Sequence, residues 1–363
     1  MKIMEYRFLG RTGVRVSAMC MGCMTFEPGG VDERTAFKML DRYVDAGGNF
    51  FDMADNYPGV EELFGRWLKK RPDRSRFVIA GKVRFPTGKG PNEVGLTRKH
   101  IMESVENSLR KTGSGYFDLY QCHCWDLCTP LEETLRTLDD LVSAGKVRYV
   151  GCSNFAGWHI MKSLGVSEKH GWVSFASVQS QYSLLERSPE WEILPVCREH
   201  GVSVNAWSPL AAGWLTGKYS RDKIPPPGSR MARIASTRKE WDKVLAAGLN
   251  AQIPHPTRIK SEQEYQELIR KNEGERRWRV IDAVGDVAKA RGKTHAQVAL
   301  AWLLAQPGVC SAVIGASSIE QLDENLGCLG WGLSNNEIGW LNTVSDPGLP
   351  YPHDFFAKYG VWR

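Results

Sequence analysis

The 363-residue chain is predicted to fold as a (β/α)8 barrel, the TIM barrel architecture. Short apolar segments alternate with amphipathic segments along most of the chain, and this alternation predicts parallel strands joined by helices. Eight such strand–helix units can be counted, and that number together with the length favours a closed barrel over an open sheet. We therefore expect one domain over residues 1–363.

The N-terminal segment precedes the barrel. Apolar Tyr6, Phe8 and Leu9 are followed by "RTG" and then by Val14 and Val16. An apolar pattern interrupted by glycine predicts a β-hairpin, here with its turn at 10–13.

The barrel elements are expected in strict alternation. The strands have short apolar cores and are predicted at 18–21, 50–53, 77–80, 117–121, 148–151, 174–178, 202–206 and 312–314. The helices have one apolar face and are predicted at 33–46, 60–69, 98–111, 131–144, 156–164, 190–199, 277–291 and 318–326.

Two segments depart from this rhythm. Residues 219–275, after the seventh strand, contain "IPPPGSR" and "IPHPTR" and have no clear strand. Loops of this length are usually functional, so the segment is expected to be a lid over the site or a passive excursion. The tail 344–363, with Pro347, Pro350 and Pro352, is predicted to be an extended surface segment.

Charge and composition narrow the function. The chain has 47 basic and 41 acidic residues, a net charge of +6, and no long basic run. This mild excess argues against a nucleic-acid partner and suits a phosphate-bearing small molecule. No run of about 18 apolar residues predicts a membrane span.

Cysteine usage indicates the compartment. The chain has nine cysteines, and five lie in or beside apolar runs: Cys20, Cys122, Cys152, Cys310 and Cys328. An odd number spread through apolar segments predicts buried free thiols, and hence a cytoplasmic protein.

Four titratable residues follow three consecutive strands. Asp52 lies at the end of the second barrel strand with Tyr57 just beyond it, Lys82 follows the third strand and His123 follows the fourth. The carboxyl ends of barrel strands meet on one face, where active sites form. Each residue taken alone has an ordinary structural explanation, but their joint occurrence in this order predicts a site.

These residues suggest acid–base chemistry. The Lys82 ammonium would lower the pKa of the Tyr57 phenol, which is normally about 10, and so make it a competent general acid. Asp52 would hold Lys82 charged, and His123 would donate a hydrogen bond to the substrate oxygen. No side chain supplies hydride, so a nicotinamide cofactor is required.

The sequence resembles the aldo-keto reductase superfamily over nearly its whole length. The resemblance is carried, in order, by "GRTGVRVSAMCMGCMTF", "NFFDMADNY", "DLYQCHCWD", "AGKVRYVGCSNF", "VQSQYSLLER", "AWSPLAAGWLTGKY", "VALAWLLAQPGV" and "IGASSIEQLDENL". It is similar to the bacterial, plant and potassium-channel-β-like branches rather than to the mammalian steroid-reducing branch. The resemblance implies NAD(P)H-dependent reduction of carbonyls with Asp52, Tyr57, Lys82 and His123 as the catalytic tetrad.

The resemblance also implies a set of cofactor contacts. The nicotinamide end would be held by Gly22, Met24, Thr25, Asp52, Ser153, Asn154 and Gln179, with Trp207 stacked on the ring. The pyrophosphate would lie against Ser208, Leu210, Gly213 and Lys218. The adenosine end would meet Gly315, Ser317, Ser318, Gln321, Glu324 and Asn325.

The last of these segments also has a physical interpretation of its own. Ser318 followed by Gln321 predicts a capping box at a helix N-terminus, a place that attracts phosphate. Many relatives have Arg or Lys where this chain has Ser317. A charge-assisted contact from this position to the adenosine 2′-phosphate is therefore absent here. We expect NADPH as cofactor, with NADH as the alternative.

The substrate is expected above Tyr57 and His123. Trp125, Met24, Tyr182, the 219–275 segment and the tail are candidate walls, which favour a bulky and rather apolar carbonyl compound. Three alternatives stay open: a metal-dependent hydrolase, a cofactor-binding regulatory subunit with little turnover, and an NAD(P)+-dependent alcohol dehydrogenase. Cys20 with Cys23, and Cys122–Cys124, could suggest zinc. A zinc site is disfavoured because neighbouring strand residues in the second motif would point to opposite faces.

Overall fold

The computed structural model describes residues 4–221 and 274–359. Its centre is a closed barrel of eight parallel strands. Around the barrel the strands follow the chain order, and the last strand pairs with both the first and the seventh. The prediction of a (β/α)8 barrel is therefore confirmed.

Ten strands lie in the described part of the chain. The first two form an antiparallel hairpin and the other eight form the barrel: β1 (Tyr6–Phe8), β2 (Arg15–Ser17), β3 (Met19–Gly22), β4 (Phe50–Asp52), β5 (Val78–Val83), β6 (Phe117–Cys122), β7 (Val147–Ser153), β8 (Phe175–Gln181), β9 (Ser203–Trp207) and β10 (Val309–Ile314).

Eleven α-helices lie in the same residues and mostly cover the barrel. They are α1 (Glu33–Asp45), α2 (Val60–Leu68), α3 (Arg98–Thr112), α4 (Leu131–Ser143), α5 (Gly157–His170), α6 (Ile193–His200), α7 (Gly274–Arg291), α8 (His295–Leu304), α9 (Ile319–Leu326), α10 (Asn335–Ser345) and α11 (His353–Tyr359).

Local sequence explains where the helices begin and end. The Asp32 side chain accepts a hydrogen bond from the Thr35 amide at the start of α1, and the Thr97 side chain accepts one from the His100 amide at the start of α3. Helix α3 ends at Gly113, whose φ of 60° is left-handed.

The core has two layers. Between barrel and helices, aromatic rings pack edge to face or tilted, with Phe51 contacting Phe64, Trp67 and Phe77. Inside the barrel a smaller apolar cluster includes Phe50 and Leu119.

The hairpin closes the N-terminal end of the barrel. It inserts Leu9, which is fully buried, and the predicted turn at 10–13 lies between its strands. Gly10 has a φ of 59°, and a Cβ there would lie 2.3 Å from the Ala176 carbonyl oxygen. In the part of the chain that the structure describes, the hairpin thus covers the N-terminal end of the barrel.

Two helices were not predicted from the sequence, and the prediction for part of the tail was wrong. Helix α8 is buried on nearly every side and so lacks the expected amphipathic pattern, and α10 was also overlooked. The tail was predicted as extended throughout, but α11 is helical. The prolines precede this helix, where the carbonyls of Pro350 and Pro352 accept hydrogen bonds from Asp354 and Phe356.

Other predictions have mixed outcomes. The five cysteines expected to be buried are buried and free. Among the described residues, no helix has the length and apolar composition to cross a bilayer. Most of the 219–275 segment, namely 222–273, lies outside the described residues.

Candidate active site

The four predicted catalytic residues lie together at the open end of the barrel. Asp52 is the last residue of β4, Lys82 lies near the end of β5, and His123 directly follows β6. Tyr57 lies in the turn between β4 and α2, where its amide donates to the Ala54 carbonyl over 3.1 Å. Parallel strands place these ends side by side, as the sequence analysis expected.

A buried ion pair forms the floor of the site. The Lys82 Nζ lies 2.5 Å from Asp52 Oδ2, and the two residues are 1% and 4% exposed. The other carboxylate oxygen accepts hydrogen bonds from the side-chain amides of Gln121, over 3.2 Å, and Gln179, over 2.8 Å. Burial opposes the charge of Lys82, but Asp52 and Tyr57 outweigh it and raise the pKa of Lys82. The ammonium therefore stays protonated.

Tyr57 lies beside this pair. Its ring centroid is 5.3 Å from the Lys82 Nζ and 5.8 Å from the His123 ring. Burial raises the pKa of Tyr57 above its usual value, and Lys82 only partly offsets this. The expected net lowering of this pKa is wrong for the protein alone, because desolvation exceeds the ammonium's effect. The phenol therefore remains protonated at neutral pH.

His123 is held neutral. Burial, with help from the positive charges of Lys82 and Arg84, lowers the pKa of His123 to about 2. Its Nδ1 is buried and has no hydrogen-bond partner among the described residues. The Phe85 ring packs edge to face against the imidazole with 4.7 Å between centroids. A neutral imidazole can donate or accept a hydrogen bond, whichever a bound group requires.

A cavity of about 680 Å³ extends from these residues across the barrel mouth. Most of the residues assigned to the cofactor by resemblance line it: Gly22, Met24, Thr25, Asp52, Ser153, Asn154, Gln179, Trp207, Ser208, Leu210, Gly213, Lys218, Gly315, Ser317, Gln321, Glu324 and Asn325. Tyr57 and His123 line it as well. Lys82 and Ser318 do not: Lys82 is buried and Ser318 caps α9.

The end near Tyr57 fits a flat amide-bearing ring. Trp207 Nε1 donates to Asn154 Oδ1 over 3.2 Å, while Asn154 Nδ2 donates to the His123 carbonyl over 2.9 Å. Buried polar atoms on Thr25 and Asn56 have no partner in the described chain. Such unsatisfied groups in a cavity wall fit a polar ligand, so a nicotinamide is compatible with this end.

The opposite end fits phosphates. Ser208, Ala212 and Gly213 have φ values of 54°, 54° and 92°, so the backbone turns sharply along the cavity. A Cβ on Gly213 would lie 2.6 Å from Lys218 Cε, so the missing side chain gives the lysine its place.

The predicted capping box at α9 is only half formed. Ser318 accepts from the Gln321 amide over 3.3 Å, as expected. The Gln321 side chain does not return to Ser318, because its oxygen accepts instead from the Ser317 amide and hydroxyl, both over 3.0 Å. Ser317 and Gln321 are thereby fixed together at the cavity rim.

Two expected substrate walls are not among the described residues that line this cavity. Trp125 stacks on His159, with 3.9 Å between ring centroids, and is not part of the cavity lining. Tyr182 is fully buried and donates to Glu190 over 2.6 Å. Within the described ranges, no group of three His, Cys, Asp or Glu is arranged to hold a metal ion.

Sequence reasoning also missed part of the lining: Asn56, Phe85, Pro209, Ala212, Thr216, Val313, Ile314 and Ala316. Asn56 and Phe85 follow strand ends, which is a usable positional signal. Gln121 was missed too, although it alternates inward two residues before His123.

Comparisons with known proteins agree with this geometry. The family model described as "Aldo/keto reductase family" matches residues 18–346. The chain is 35% identical to the oxidoreductase YrpG of Bacillus subtilis (strain 168), over 97% of this chain and 99% of that protein. It is 31% identical to a versiconal hemiacetal acetate reductase of Aspergillus parasiticus, over 96% and 99% of the two chains.

A probable voltage-gated potassium channel subunit beta of Oryza sativa subsp. japonica is 31% identical over 90% of this chain and 91% of that protein. The match to the family model spans the barrel from β3 to α10 and includes every strand that contributes to the cavity. The chain belongs to the aldo/keto reductase family of oxidoreductases.

Proposed function

We propose that this protein reduces an aldehyde or ketone with NADPH, and that Tyr57 is the proton donor. The observation that carries the proposal is the protonated Tyr57 phenol, placed beside the buried Lys82–Asp52 pair and a neutral His123 in one cavity. Family membership supports the reaction class.

The cofactor would be held by the residues that line the cavity away from Tyr57. Asn154, Ser153 and Gln179 present polar groups to a carboxamide, and Trp207 offers an aromatic face. When bound, a nicotinamide supplies the hydride that no side chain provides.

Proton delivery is the task of the protein's own groups. The substrate carbonyl accepts a hydrogen bond from Tyr57, and the phenol proton passes to that oxygen as negative charge develops on it. The Lys82 ammonium then stabilises the phenolate that Tyr57 becomes. Neutral His123 donates a second hydrogen bond, which orients the carbonyl and stabilises the developing charge.

The preference for NADPH rests on the far end of the cavity. Lys218 lies in the lining and offers an ammonium to a phosphate, while the Ser317 hydroxyl lies on the rim. Arg42, on α1, is engaged with Asp323 over 2.7 Å. Since no arginine occupies position 317, the discrimination against NADH is expected to be modest.

The substrate is proposed to be a bulky carbonyl compound. Phe85, Trp207 and Met24 give the cavity apolar walls beside Tyr57. One relative is named a hemiacetal acetate reductase, and a hemiacetal is a masked carbonyl. This supports a carbonyl substrate without identifying it.

The test is a fluorescence titration of the purified protein with NADPH and NADH, followed by turnover assays on panels of carbonyls and alcohols. We expect binding of both cofactors, tighter for NADPH, and turnover of hydrophobic aldehydes. Ser317→Arg should raise the preference for NADPH further, by about tenfold for one added charge-assisted contact. Cofactor binding without turnover of any compound would favour a regulatory role and contradict the proposal.

A further inference from the structure

One residue inside the barrel contacts the four predicted catalytic residues without being one of them. Gln121, on β6, is fully buried and pairs in register with Lys82 on β5. Its side-chain Nε2 donates to Asp52 Oδ1 over 3.2 Å. Gln121 does not belong to the described lining of the cavity. Any effect of its side chain on the reaction must therefore pass through Asp52.

The orientation of the Gln121 amide is fixed by its partner. An ionised carboxylate only accepts hydrogen bonds, so the amide nitrogen faces Asp52 and the amide oxygen faces away. That oxygen is buried and has no partner in the described chain. A buried, unpaired acceptor costs free energy. The hydrogen bond to Asp52 is therefore the one favourable polar contact that this placement of Gln121 achieves among the described residues.

Asp52 divides its hydrogen bonds between its two oxygens. Oδ2 accepts from the Lys82 ammonium over 2.5 Å, whereas Oδ1 accepts from the amides of Gln121 and Gln179. Gln179 lines the cavity, where the proposed cofactor would contact it as well. Gln121 is therefore the donor to Oδ1 whose bond does not depend on a ligand.

Lys82 divides its donors in a similar way. An ammonium has three N–H groups. One is directed to Asp52 and a second to the Met53 carbonyl over 3.3 Å, which leaves the third for Tyr57. Burial raises the pKa of Tyr57, the charge of Lys82 lowers it and the charge of Asp52 raises it. A donor that draws the charge of Asp52 away from Lys82 and Tyr57 therefore makes the phenol a better acid.

We propose that Gln121 is a positioning residue for proton transfer, which holds Oδ1 of Asp52 so that the ammonium of Lys82 stays available to Tyr57. The role rests on the proposed function of Tyr57. Without this donor, the buried carboxylate binds Lys82 more tightly, because its charge is shared among fewer hydrogen bonds. The phenolate left after proton transfer is then stabilised less.

Gln121→Met tests this role, since methionine has a similar length and cannot donate a hydrogen bond. The kcat for carbonyl reduction should fall by about tenfold, because one hydrogen bond to a charged group is lost. KM and the Kd for NADPH should change by less than about twofold, because the side chain is not part of the cavity lining. Steady-state kinetics and a fluorescence titration with NADPH measure these quantities.

Gln121→Glu provides a readout that depends on donation. A protonated glutamic acid donates to Asp52 as the amide does, whereas an ionised one only accepts. Burial and the charge of Asp52 make this acid hold its proton to a higher pH than usual. The kcat of this variant should be within about threefold of the wild type at pH 6 and at least about tenfold lower at pH 9. The ratio for Gln121→Met should be the same at both pH values.

Asn205→Leu is the matched control. Asn205 lies on β9, is fully buried, and has no hydrogen-bond partner for either polar atom of its side chain in the described chain. The variant therefore removes a buried barrel amide that does not hold Asp52. Its kcat should stay within about twofold of the wild type at both pH values. Thermal unfolding shows which variants are folded, and Gln121→Glu tests the role if Gln121→Met is not.

Each result has a distinct meaning. A wild-type kcat in Gln121→Met would overturn the role of Gln121. A loss of kcat in Gln121→Glu that is the same at pH 6 and pH 9 would also overturn it, since the loss would then not depend on donation. An equal loss in Asn205→Leu would do the same. A wild type that reduces no carbonyl compound would instead count against the proposed function.

Discussion

Buried polar groups at the two ends of the barrel differ in their hydrogen bonding. At the closed end, the Ser17 hydroxyl donates to the Met19 carbonyl over 2.7 Å, and the Tyr43 hydroxyl is bonded to its neighbours. At the open end, polar atoms of His123, Thr25 and Asn56 are buried without partners in the described residues. The groups named at the closed end are paired within the fold, while those named at the open end are left for a ligand.

Backbone conformation shows the same division. Non-glycine residues with left-handed φ values include Asn154, Ser208, Ala211 and Ala212, all beyond strand ends on the open side. Such conformations cost free energy and persist where the surrounding structure holds them. The comparison teaches that, in the described chain, several left-handed non-glycine residues gather at the end where the cavity lies.

The largest expected effect comes from removing the cation of the open end. Lys82→Met should lower kcat by about 10²- to 10⁴-fold, because Tyr57 loses the charge that stabilises its phenolate. It should also lower the free energy of unfolding by about 3–5 kcal/mol, since Asp52 would be left buried and unpaired. Turnover assays and urea unfolding measure both.

Lys146→Met provides the control for this substitution. Lys146 pairs with Glu106 near the N-terminal end of β7 and is partly exposed. Its loss should change stability by less than about 1 kcal/mol and leave kcat unchanged. Equal losses of kcat and of unfolding free energy in the two lysine variants would contradict the proposed difference between the two ends.

The closed end should affect stability alone. Gly10→Ala should lower the free energy of unfolding by about 1–3 kcal/mol, because of its left-handed φ and the close Ala176 carbonyl, with kcat and KM unchanged. Gly13→Ala is matched to it, as a Cβ there meets nothing within 4 Å, and it should be neutral. A change in KM from Gly10→Ala would break the proposed division between the ends.

Substitution of a glycine at the open end should instead weaken cofactor binding. Gly213→Ala should weaken NADPH binding by about tenfold, or about 1.4 kcal/mol, because its Cβ would displace Lys218. Gly113→Ala has a similar left-handed φ but open space around it, so it should lower Tm without changing the Kd for NADPH. If both variants bind NADPH equally well, Lys218 has no role in the cavity.

The smallest effect is expected at Trp125. Because it stacks on His159 outside the cavity lining, Trp125→Ala should change KM for carbonyl substrates by less than about twofold. Steady-state kinetics with small and bulky aldehydes would check this. A large rise in KM for bulky aldehydes alone would restore Trp125 as a substrate wall.

The positions of the catalytic residues could be predicted from the sequence better than the pKa of Tyr57. Strand ends followed by Asp52, Lys82 and His123 indicated the site, because parallel strands bring their carboxyl ends together whatever the details of packing. The pKa of Tyr57 was misjudged, because charge proximity can be inferred from motif order while the extent of burial cannot. The stacking of Trp125 on His159 could not be predicted for a related reason, because His159 lies in another element.

The fold was predictable to a similar limit. Amphipathic helices such as α1 and α4 were found because one face alternates with the other. Helix α8 was missed because burial on all sides removes that periodicity.

The central claim is that Tyr57 delivers the proton. The most direct measurement is a single-turnover experiment with NADPH bound and an aldehyde in excess, comparing the wild type with Tyr57→Phe through the loss of NADPH fluorescence. The account predicts a decay slower by about 10²-fold or more, with the Kd for NADPH nearly unchanged. A Tyr57→Phe variant that oxidises NADPH at the wild-type rate would contradict it.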